Sequence, residues 1–368
     1  MRRFKNVLVV IDRNTRNEAL IERAILLGKR NRAQLTVVSV SEKAPEEITL
    51  PSNIQTTEEG VSGIEIIETL PDGKPGILPE KSTAIPKSTE EPQKEEFLER
   101  WRSDSLLKTF EIQDEIDMAN EFEIGRIAEK LRENGIQVKS KRLFGTAFIE
   151  IIREVIRNNY DLVMIAAEGK SKFRERIIGR TTMHLMRKCP CPVWVLKPSQ
   201  PKQYQRIMAA VDPTPFDQKR SDINIKIMDL ATSLAKRDQS ELMILHTWQL
   251  PIEDHINSGR VHVPTNTVDE WNWNVKEERK RSLRSLLDNF DFQKIKYQVY
   301  LLKGEAARLI PEFANSSEVE LIVMGTVART GVAGFLMGNI AEKVLGRVNC
   351  SVLTVKPDGF ITPVKLSV

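Results

Sequence analysis

The sequence predicts an α/β protein in which two tandem domains each form a doubly wound, five-stranded parallel sheet. The first observation is an internal repeat, because three segments of the first half recur in the second half at a constant offset of 159 residues. The matching pairs are 143–152 with 302–311, 161–167 with 320–326, and 191–198 with 350–357. The second observation is that apolar runs alternate with helix-like runs in both halves, as in βα units around a parallel sheet.

The elements of the first half begin with the apolar run VLVVI, which predicts a strand that ends just before Asp12. Leu20, Ala24 and Leu27 have helical spacing and precede a strand at 34–40. The later elements are a helix marked by Ile124, Ile127, Ala128 and Leu131 that stops at Asn134-Gly135, a strand at 136–144, a helix at 147–158, a strand at 161–166, a helix at 180–188 and a strand at 192–198.

The second half repeats this order of elements. The predicted strands and helices are, in turn, 206–211, 223–236, 241–247, 274–289, 295–302, 305–315, 320–325, 338–347 and 351–356. Near-continuous apolar strands indicate burial on both faces of the sheet. Ligands of such sheets bind beyond the carboxyl ends of the strands, where the strand order reverses. Asp12, Asp212 and the glycine-rich loop 325–339 are expected at that edge.

The domain boundaries follow from the repeat. Residues 1–200 form the first predicted domain, and residues 201–368 form the second. The first domain contains an insert at about 42–120, whose proline-rich and polar first part predicts a surface excursion with little core. Within it, the apolar stretch 63–70 is either a hairpin arm or a docking strand, and helical composition begins at about 94. We interpret the insert as a tolerated loop, with a partner-binding or control element as the alternative.

Composition excludes several classes of function. The chain has 368 residues with 55 basic and 51 acidic side chains, a balance too even to predict nucleic acid as the main partner. No apolar run approaches the roughly 18 residues that span a membrane. The three cysteines, Cys189, Cys191 and Cys350, favour a reducing compartment over a disulfide framework. The one-residue spacing of Cys189 and Cys191 fits neither redox nor zinc motifs, so no metal site is predicted.

Catalytic motifs are not predicted. The triplet Gly169-Lys170-Ser171 lacks the earlier glycine of a P-loop, because Met164 occupies that position, and no dinucleotide fingerprint occurs. His255 and His262 lie in a polar stretch typical of a solvated loop. We interpret His246 as a hydrogen-bonded histidine at a strand end. No Ser-His-Asp or Cys-His set is indicated, so the chain is not predicted to be an enzyme.

Trp271 and Trp273 precede a charged run, a combination that could bind nucleic acid by stacking. The spacing of Leu283, Leu286 and Leu287 favours an amphipathic surface helix instead. No specific nucleic-acid partner is therefore predicted.

Asp12 and Asp212 each end the first strand of their half. Either carboxylate could accept a hydrogen bond from a base amine or a ribose at the ligand edge. Either could equally cap the turn or helix that follows. The sequence leaves both interpretations open.

The repeated pattern resembles the universal stress protein family. The resemblance rests on a strand that ends in aspartate, on the turns at Gly145 and Gly304, and on the glycine loop before the last helix. It covers both halves, as in tandem members, and leaves out the insert. It implies two five-stranded domains of the adenine-nucleotide α-hydrolase-like fold, packed as an internal pseudo-dimer. A further homodimer is left open.

The resemblance also implies where a ligand would bind. In the second half the implied positions are Asp212, Thr247, Gly304, Gly325, Ala328, Gly338 and Asn339. In the first half they are Asp12, Val40, Gly145, Gly169, Gly179 and Arg180, a weaker set. One branch of the family binds ATP through Gly-x-x-Gly, nine residues, and Gly-Ser/Thr, whereas the other branch lacks this pattern and binds no ATP.

Neither half keeps the full ATP pattern. The second half has Gly325, Ala328, Gly338 and Asn339, whereas the first half has Ala166, Gly169, Gly179 and Arg180. A lost hydroxyl contact to a charged phosphate costs about 1.5–3 kcal/mol, and an alanine at a positive-φ position adds about 1–2 kcal/mol. Asn339 can still donate a hydrogen bond, and Arg180 could pair with phosphate.

These observations lead to two functional hypotheses. The first is a non-enzymatic stress protein that acts through a bound small molecule or a protein partner rather than through ATP, with a role in starvation, oxidative stress or DNA damage as the family resemblance implies. The alternative is an adenine-nucleotide-binding switch with slow hydrolysis at the second half, for which ATP would be the cofactor.

Overall fold

The computed structural model describes most of both halves. The described residues are 4–12, 15–41, 68–69, 75–76, 91–167, 179–198, 203–213, 218–250, 253, 256, 258, 263–326 and 338–366. Among the predicted ligand positions, Gly169 and Ala328 lie outside the described residues, as do Lys170, Ser171, His255 and His262.

Twelve strands are present in the described residues. They are β1 (Asn6–Val10), β2 (Gln34–Ser41), β3 (Glu68–Thr69), β4 (Pro75–Gly76), β5 (Val138–Phe144), β6 (Leu162–Ala166), β7 (Val193–Leu196), β8 (Arg206–Ala210), β9 (Glu241–Trp248), β10 (Tyr297–Lys303), β11 (Leu321–Gly325) and β12 (Ser351–Val355). Each predicted strand of the two halves is confirmed to within about two residues at either end.

The helices of the described residues alternate with these strands. They are α1 (Glu18–Asn31), α2 (Glu91–Glu133), α3 (Ala147–Asn158), α4 (Arg180–Lys188), α5 (Gln218–Asp238), α6 (Thr265–Leu287), α7 (Ala306–Ser316) and α8 (Asn339–Leu345). The helical second part of the insert is thus confirmed, and it continues into the first half as α2. Leu283 and Leu286 are buried on α6, which confirms an amphipathic surface helix there.

Ten strands form a single sheet in the order β10-β9-β8-β11-β12-β7-β6-β1-β2-β5. Within each half all neighbouring strands are parallel. Each half starts at its first strand, continues outward to one side, and then returns to the other side of that strand. This is the predicted doubly wound arrangement, with the order reversing between β1 and β6 and between β8 and β11.

The two halves join through β7 and β12, which pair antiparallel with Val193 opposite Thr354. Because this one pair is antiparallel, the strands of the two halves run in opposite directions. The carboxyl ends of the first-half strands therefore lie at one edge of the sheet, and those of the second half lie at the other edge. The predicted internal pseudo-dimer is confirmed, and the two edges where ligands are predicted to bind are separate.

Helices cover both faces of the sheet. One face buries apolar side chains of α1, α2, α5 and α6, and the other buries those of α3, α4, α7 and α8. Strands such as β6 and β12 are buried at every residue because each faces helices on both sides.

The insert forms a compact unit of its own, Lys43–Ala119, while Met1–Glu42 and Asn120–Val368 form the other unit. Within the insert, β3 and β4 pair antiparallel as a short hairpin. The predicted domain boundary near residue 200 stays a prediction, since both halves belong to one compact unit.

Candidate functional site

The candidate site of the second half lies where β8, β9, β10 and β11 end. Ala210 is level with Leu245 of β9 and with Met324 of β11. The same registers, continued for two residues, bring Asp212 level with Thr247 on one side and with Thr326 on the other. The topology therefore brings Asp212 and Thr247, which lie far apart in the sequence, to one edge.

The main chain of Asp212 is fixed by a buried amide on α5. Asn224 accepts a hydrogen bond from the Asp212 N–H at 2.9 Å and donates one to the Asp212 carbonyl at 2.7 Å. Asn224 is only 3% exposed, so its own amide is shielded from water in these bonds. They hold the Asp212 main chain in one conformation, while its side chain is 36% exposed at the edge.

His246 is buried beside this aspartate. Its Nδ1 lies 3.0 Å from the Val211 carbonyl oxygen and 4.0 Å from Asp212 Oδ1. The contact with a carbonyl oxygen places the proton on Nδ1. The interpretation of His246 as a hydrogen-bonded strand-end residue is confirmed.

In the first half, the Asp12 carbonyl also accepts a hydrogen bond from an asparagine. The Asn17 amide donates to the Asp12 carbonyl at 3.0 Å, and the Thr15 hydroxyl donates to that carbonyl at 2.9 Å. Val10 is level with Val38, so Asp12 lies level with Val40, which is partly buried. Both aspartates thus occupy equivalent positions at the two edges.

Gly145 and Gly304 form equivalent turns at the ends of β5 and β10. Their backbone φ angles are +123° and +137°, a region that residues other than glycine rarely adopt. The N–H of Gly145 donates to the Ser41 carbonyl oxygen at 2.9 Å, and the N–H of Gly304 donates to the Trp248 carbonyl oxygen at 2.7 Å. A structural turn requirement accounts for both glycines without a ligand.

Close packing against α5 explains the glycine at position 325. A Cβ atom at this position would lie 2.7 Å from Cδ1 of Ile223 on α5. The glycine therefore allows α5 to approach the end of β11. The first half has Ala166 at the matching position, where it is buried.

Thr326, at the start of the glycine-rich loop 325–339, is hydrogen-bonded to the first half of the chain. Thr326 Oγ1 donates to the Met186 carbonyl of α4 at 3.3 Å, and the Thr326 carbonyl accepts from the Gly338 N–H at 3.1 Å. Gly338 precedes α8 and begins it in an extended conformation. Thr326 thus links the end of β11 to Gly338, the residue that precedes α8.

Lys356, which follows β12, completes this anchor. Its Nζ donates to the carbonyls of Met186 and Arg187 at 2.6 and 3.1 Å, and to Thr326 Oγ1. The Phe360 ring lies over the amine at 4.8 Å. Three acceptors satisfy all three N–H groups of an ammonium, and two of them belong to the negative end of a helix.

The burial of Lys356 is nearly complete at 5% exposed. This burial lowers the pKa of Lys356 to about 7, and the neighbouring Cys189 opposes the shift. The side chain therefore changes its charge near neutral pH, directly beneath the start of the glycine loop.

The remaining positions lie at helix starts. Gly179 precedes α4, and its carbonyl accepts from the Met183 N–H at 2.9 Å. Arg180 is the exposed first residue of α4, and Asn339 is the first residue of α8. These residues sit where the family resemblance implies phosphate contacts, at opposite edges of the sheet.

Four residues of the two sites escaped sequence reasoning: Asn17, Asn224, Thr326 and Lys356. The two asparagines escaped because α5 has 21 residues and α1 has 14, so an alignment without gaps does not superpose them. Lys356 could have been noticed as a lysine that directly follows a buried strand in both halves. Its contact with α4 depends on the joint between the halves.

The described residues contain no group of three or more His, Cys, Asp or Glu side chains placed to hold a metal ion. In the same part of the chain, no helix is both long and apolar enough to span a bilayer.

Comparison with known proteins agrees with this architecture. Universal stress protein E of Salmonella typhi is 28% identical over 237 residues, which are 64% of this chain and 73% of that protein. Universal stress protein YxiE of Bacillus subtilis is 29% identical over 154 residues, 42% of this chain and 99% of that protein.

Two solved structures share the fold over most of the chain. A protein of unknown function from Pseudomonas aeruginosa PAO1 has a TM-score of 0.62 at 19% identity, covering 96% of this chain and 93% of that one. A universal stress protein from Archaeoglobus fulgidus has a TM-score of 0.56 at 17% identity, covering 95% of this chain and 98% of that one. The model of the "Universal stress protein family" matches residues 3–197 and again residues 203–356. The chain belongs to the universal stress protein family, with two copies of the family domain in tandem.

Proposed function

We propose that this protein is a cytoplasmic, non-enzymatic stress protein that acts through a small molecule or a protein bound at the strand edge of its second half. Its role would be tolerance of starvation, oxidants or DNA damage. The observation that carries the proposal is the anchored edge around Asp212. There, Asn224, Thr326 and Lys356 hold the main chain in one conformation before any ligand arrives.

A pre-organised edge favours binding because little conformational entropy remains to be lost. The ligand positions of the proposal are Asp212 and Thr247 for a polar group, with Gly338 and Asn339 at the start of α8. At the weaker edge of the first half, around Asp12 and Val40, side chains hold only the Asp12 carbonyl.

ATP is not the ligand in this proposal. Gly325 has a packing reason in Ile223, so its presence is no argument for phosphate. Asn339 and Ala328 replace residues of the ATP pattern, and Ala328 lies outside the described residues. Together, the lost contacts would weaken ATP binding by about two to three orders of magnitude.

The alternative is an adenine-nucleotide switch with slow hydrolysis at the same edge. It is favoured by Asp212, whose partly exposed carboxylate could accept a hydrogen bond from a base or a ribose. The buried Lys356 lies close to the loop that would surround phosphate in ATP-binding relatives.

Calorimetric titration with ATP and Mg²⁺ separates the two. The proposal expects neither heat nor a thermal shift at millimolar ATP, whereas micromolar binding would establish the switch. The double variant Ala328→Gly, Asn339→Ser tests the two replaced positions, because it is expected to gain ATP binding. Mass spectrometry of molecules that co-purify with the native protein would identify the ligand class directly.

A further inference from the structure

The ten-stranded sheet ends in two edge strands whose charges differ. Strand β5 carries Lys139, Lys141 and Arg142, and it pairs only with β2 among the described strands. Strand β10 has no charged residue from Tyr297 to Leu302, and its described pairing is with β9. The two edge strands occupy equivalent positions in the fold, but β5 is strongly charged whereas β10 is mostly uncharged.

Charged side chains on an edge strand prevent it from pairing with another strand. The repeat matches Lys139 with Gln298 and Lys141 with Tyr300. The first half therefore has the usual protection against edge pairing at these positions. The second half lacks this protection along the six residues from Tyr297 to Leu302.

An aromatic and aliphatic surface lies beside the unprotected edge. Tyr297 and Val299 are 44% and 42% exposed. The Phe292 ring stacks on Tyr297 at 4.3 Å and contacts Phe290 at 6.4 Å. Large apolar groups that remain exposed next to an edge strand are typical of a contact surface.

We propose that β10 is the docking edge for a second copy of this chain. The two β10 strands would pair antiparallel about a two-fold axis, so that the sheet continues from one molecule into the other. A two-fold axis requires a surface that is complementary to itself. Only β10 meets this requirement among the two described edges.

Self-complementarity follows from the residues that would face one another. Pairing centred on Tyr300 places Val299 opposite Leu301, Gln298 opposite Leu302, and Tyr297 opposite Lys303. Lys303 already pairs with a carboxylate of its own chain, that of Glu253, at 2.8 Å. No like charges meet in this arrangement.

The same arrangement excludes β5. Pairing centred on Lys141 would place that lysine opposite its own copy, with Lys139 and Arg142 close by. Like charges directly opposite one another destabilise a strand pair. An extended peptide of another protein could also add to β10, and the experiment separates that outcome from self-association.

The experiment is sedimentation equilibrium of the full chain, in which the wild type is expected to form a dimer of the 42.0 kDa monomer. Val299→Lys places two ammonium groups at diagonal positions across the pair and should raise the dissociation constant at least about tenfold. Ser140→Lys is the matched control, because it adds the same charge at the equivalent exposed position of β5. It should leave the dissociation constant unchanged.

Hydrogen exchange supplies a second readout. Amides of β10 that point away from β9 should exchange slowly in the wild type and rapidly in Val299→Lys. Gln298→Lys, at another exposed position, is the substitute if thermal unfolding shows that Val299→Lys does not fold. A wild type that stays monomeric at about 100 μM, or dimers of equal strength in Val299→Lys and Ser140→Lys, would overturn the proposal.

Discussion

Arg23 on α1 and Asp238 at the end of α5 form an ion pair of 2.7 Å across the joint between the two halves. Both side chains are almost fully buried, and the Arg23 guanidinium lies 4.0 Å from the centre of the Tyr204 ring. Burial by itself raises the pKa of Asp238, but hydrogen bonds and charges from Arg237 and Arg23 outweigh it and lower the pKa. The carboxylate therefore remains ionised as the common partner of the buried Arg23 and the partly buried Arg237.

Removal of this carboxylate should destabilise the joint strongly. Asp238→Ala leaves Arg23 buried without its carboxylate, which costs about 3–5 kcal/mol in the free energy of unfolding. Chemical denaturation of the variant and the wild type measures the difference. Glu312→Ala, which breaks an exposed pair with Arg308, is the control and should cost less than about 1 kcal/mol. Equal effects of the two substitutions would contradict the central role of Asp238.

Lys356 should make stability depend on pH above neutrality. Its pKa falls from an ordinary 10.5 to about 7 on folding, so the unfolded chain binds more protons between these values. The free energy of unfolding then rises with pH, by about 1.4 kcal/mol per unit from this group. Lys356→Met should remove this slope, so the variant gains stability relative to the wild type as pH falls from 9 to 7. Parallel stability curves for the two proteins would show that Lys356 keeps its ordinary pKa.

Replacement of Gly325 by alanine should destabilise the protein less when Ile223 is shortened as well. Gly325→Ala forces Cδ1 of Ile223 to move and should cost about 1–3 kcal/mol. Ile223→Val removes that atom, and in the double variant the two costs should fall short of their sum by at least about 0.5 kcal/mol. A double-mutant cycle by chemical denaturation measures the coupling. Strict additivity would mean that packing against α5 is not the reason for the glycine.

Gly304 and Gly125 should respond in opposite directions to alanine. Gly304→Ala places a side chain at a φ of +137° and 3.0 Å from Leu309 Cδ1, so it should destabilise the protein by about 1–3 kcal/mol. Gly125→Ala lies within α2 with nothing within 4 Å of the added Cβ, and it should stabilise by about 0.5–1 kcal/mol. Thermal unfolding of both variants tests the pair. A loss of stability in Gly125→Ala would show that the space around that residue cannot accept a methyl group.

Asn224 should be needed to fix the conformation of Asp212. Asn224→Leu removes the donor and the acceptor that hold the Asp212 main chain and should cost about 1–3 kcal/mol, since a partly buried N–H and a partly buried carbonyl lose their partner. Asn289→Ala, on the exposed end of α6, is the control and should cost less than about 1 kcal/mol. Chemical denaturation gives both values, and faster hydrogen exchange of the Asp212 amide would locate the effect.

The repeat and its apolar periodicity were sufficient to predict the fold of each half. VLVVI, LIVM and their counterparts are buried on both faces of a parallel sheet, as such runs require. The positions of Asp12, Asp212, Gly145 and Gly304 at strand ends followed from the same pattern. Local periodicity carries this information because it reflects which side of each element faces the core.

Other features depended on the tertiary structure. The antiparallel pairing of β7 with β12 sends the two ligand edges to opposite sides of one sheet, and no local pattern encodes that direction. The contacts of Lys356 with Met186 and of Arg23 with Asp238 join residues far apart in the chain.

The sequence by itself determined two family domains, the order of strands and helices along the chain and the aspartates at the strand ends, because apolar runs and helical spacing record burial locally. Only the tertiary structure decided how the halves join, which buried charges stabilise the joint, and that β10 is the unprotected edge. These properties arise from pairing between distant segments, and the free energy of such pairing depends on the neighbours that folding brings together.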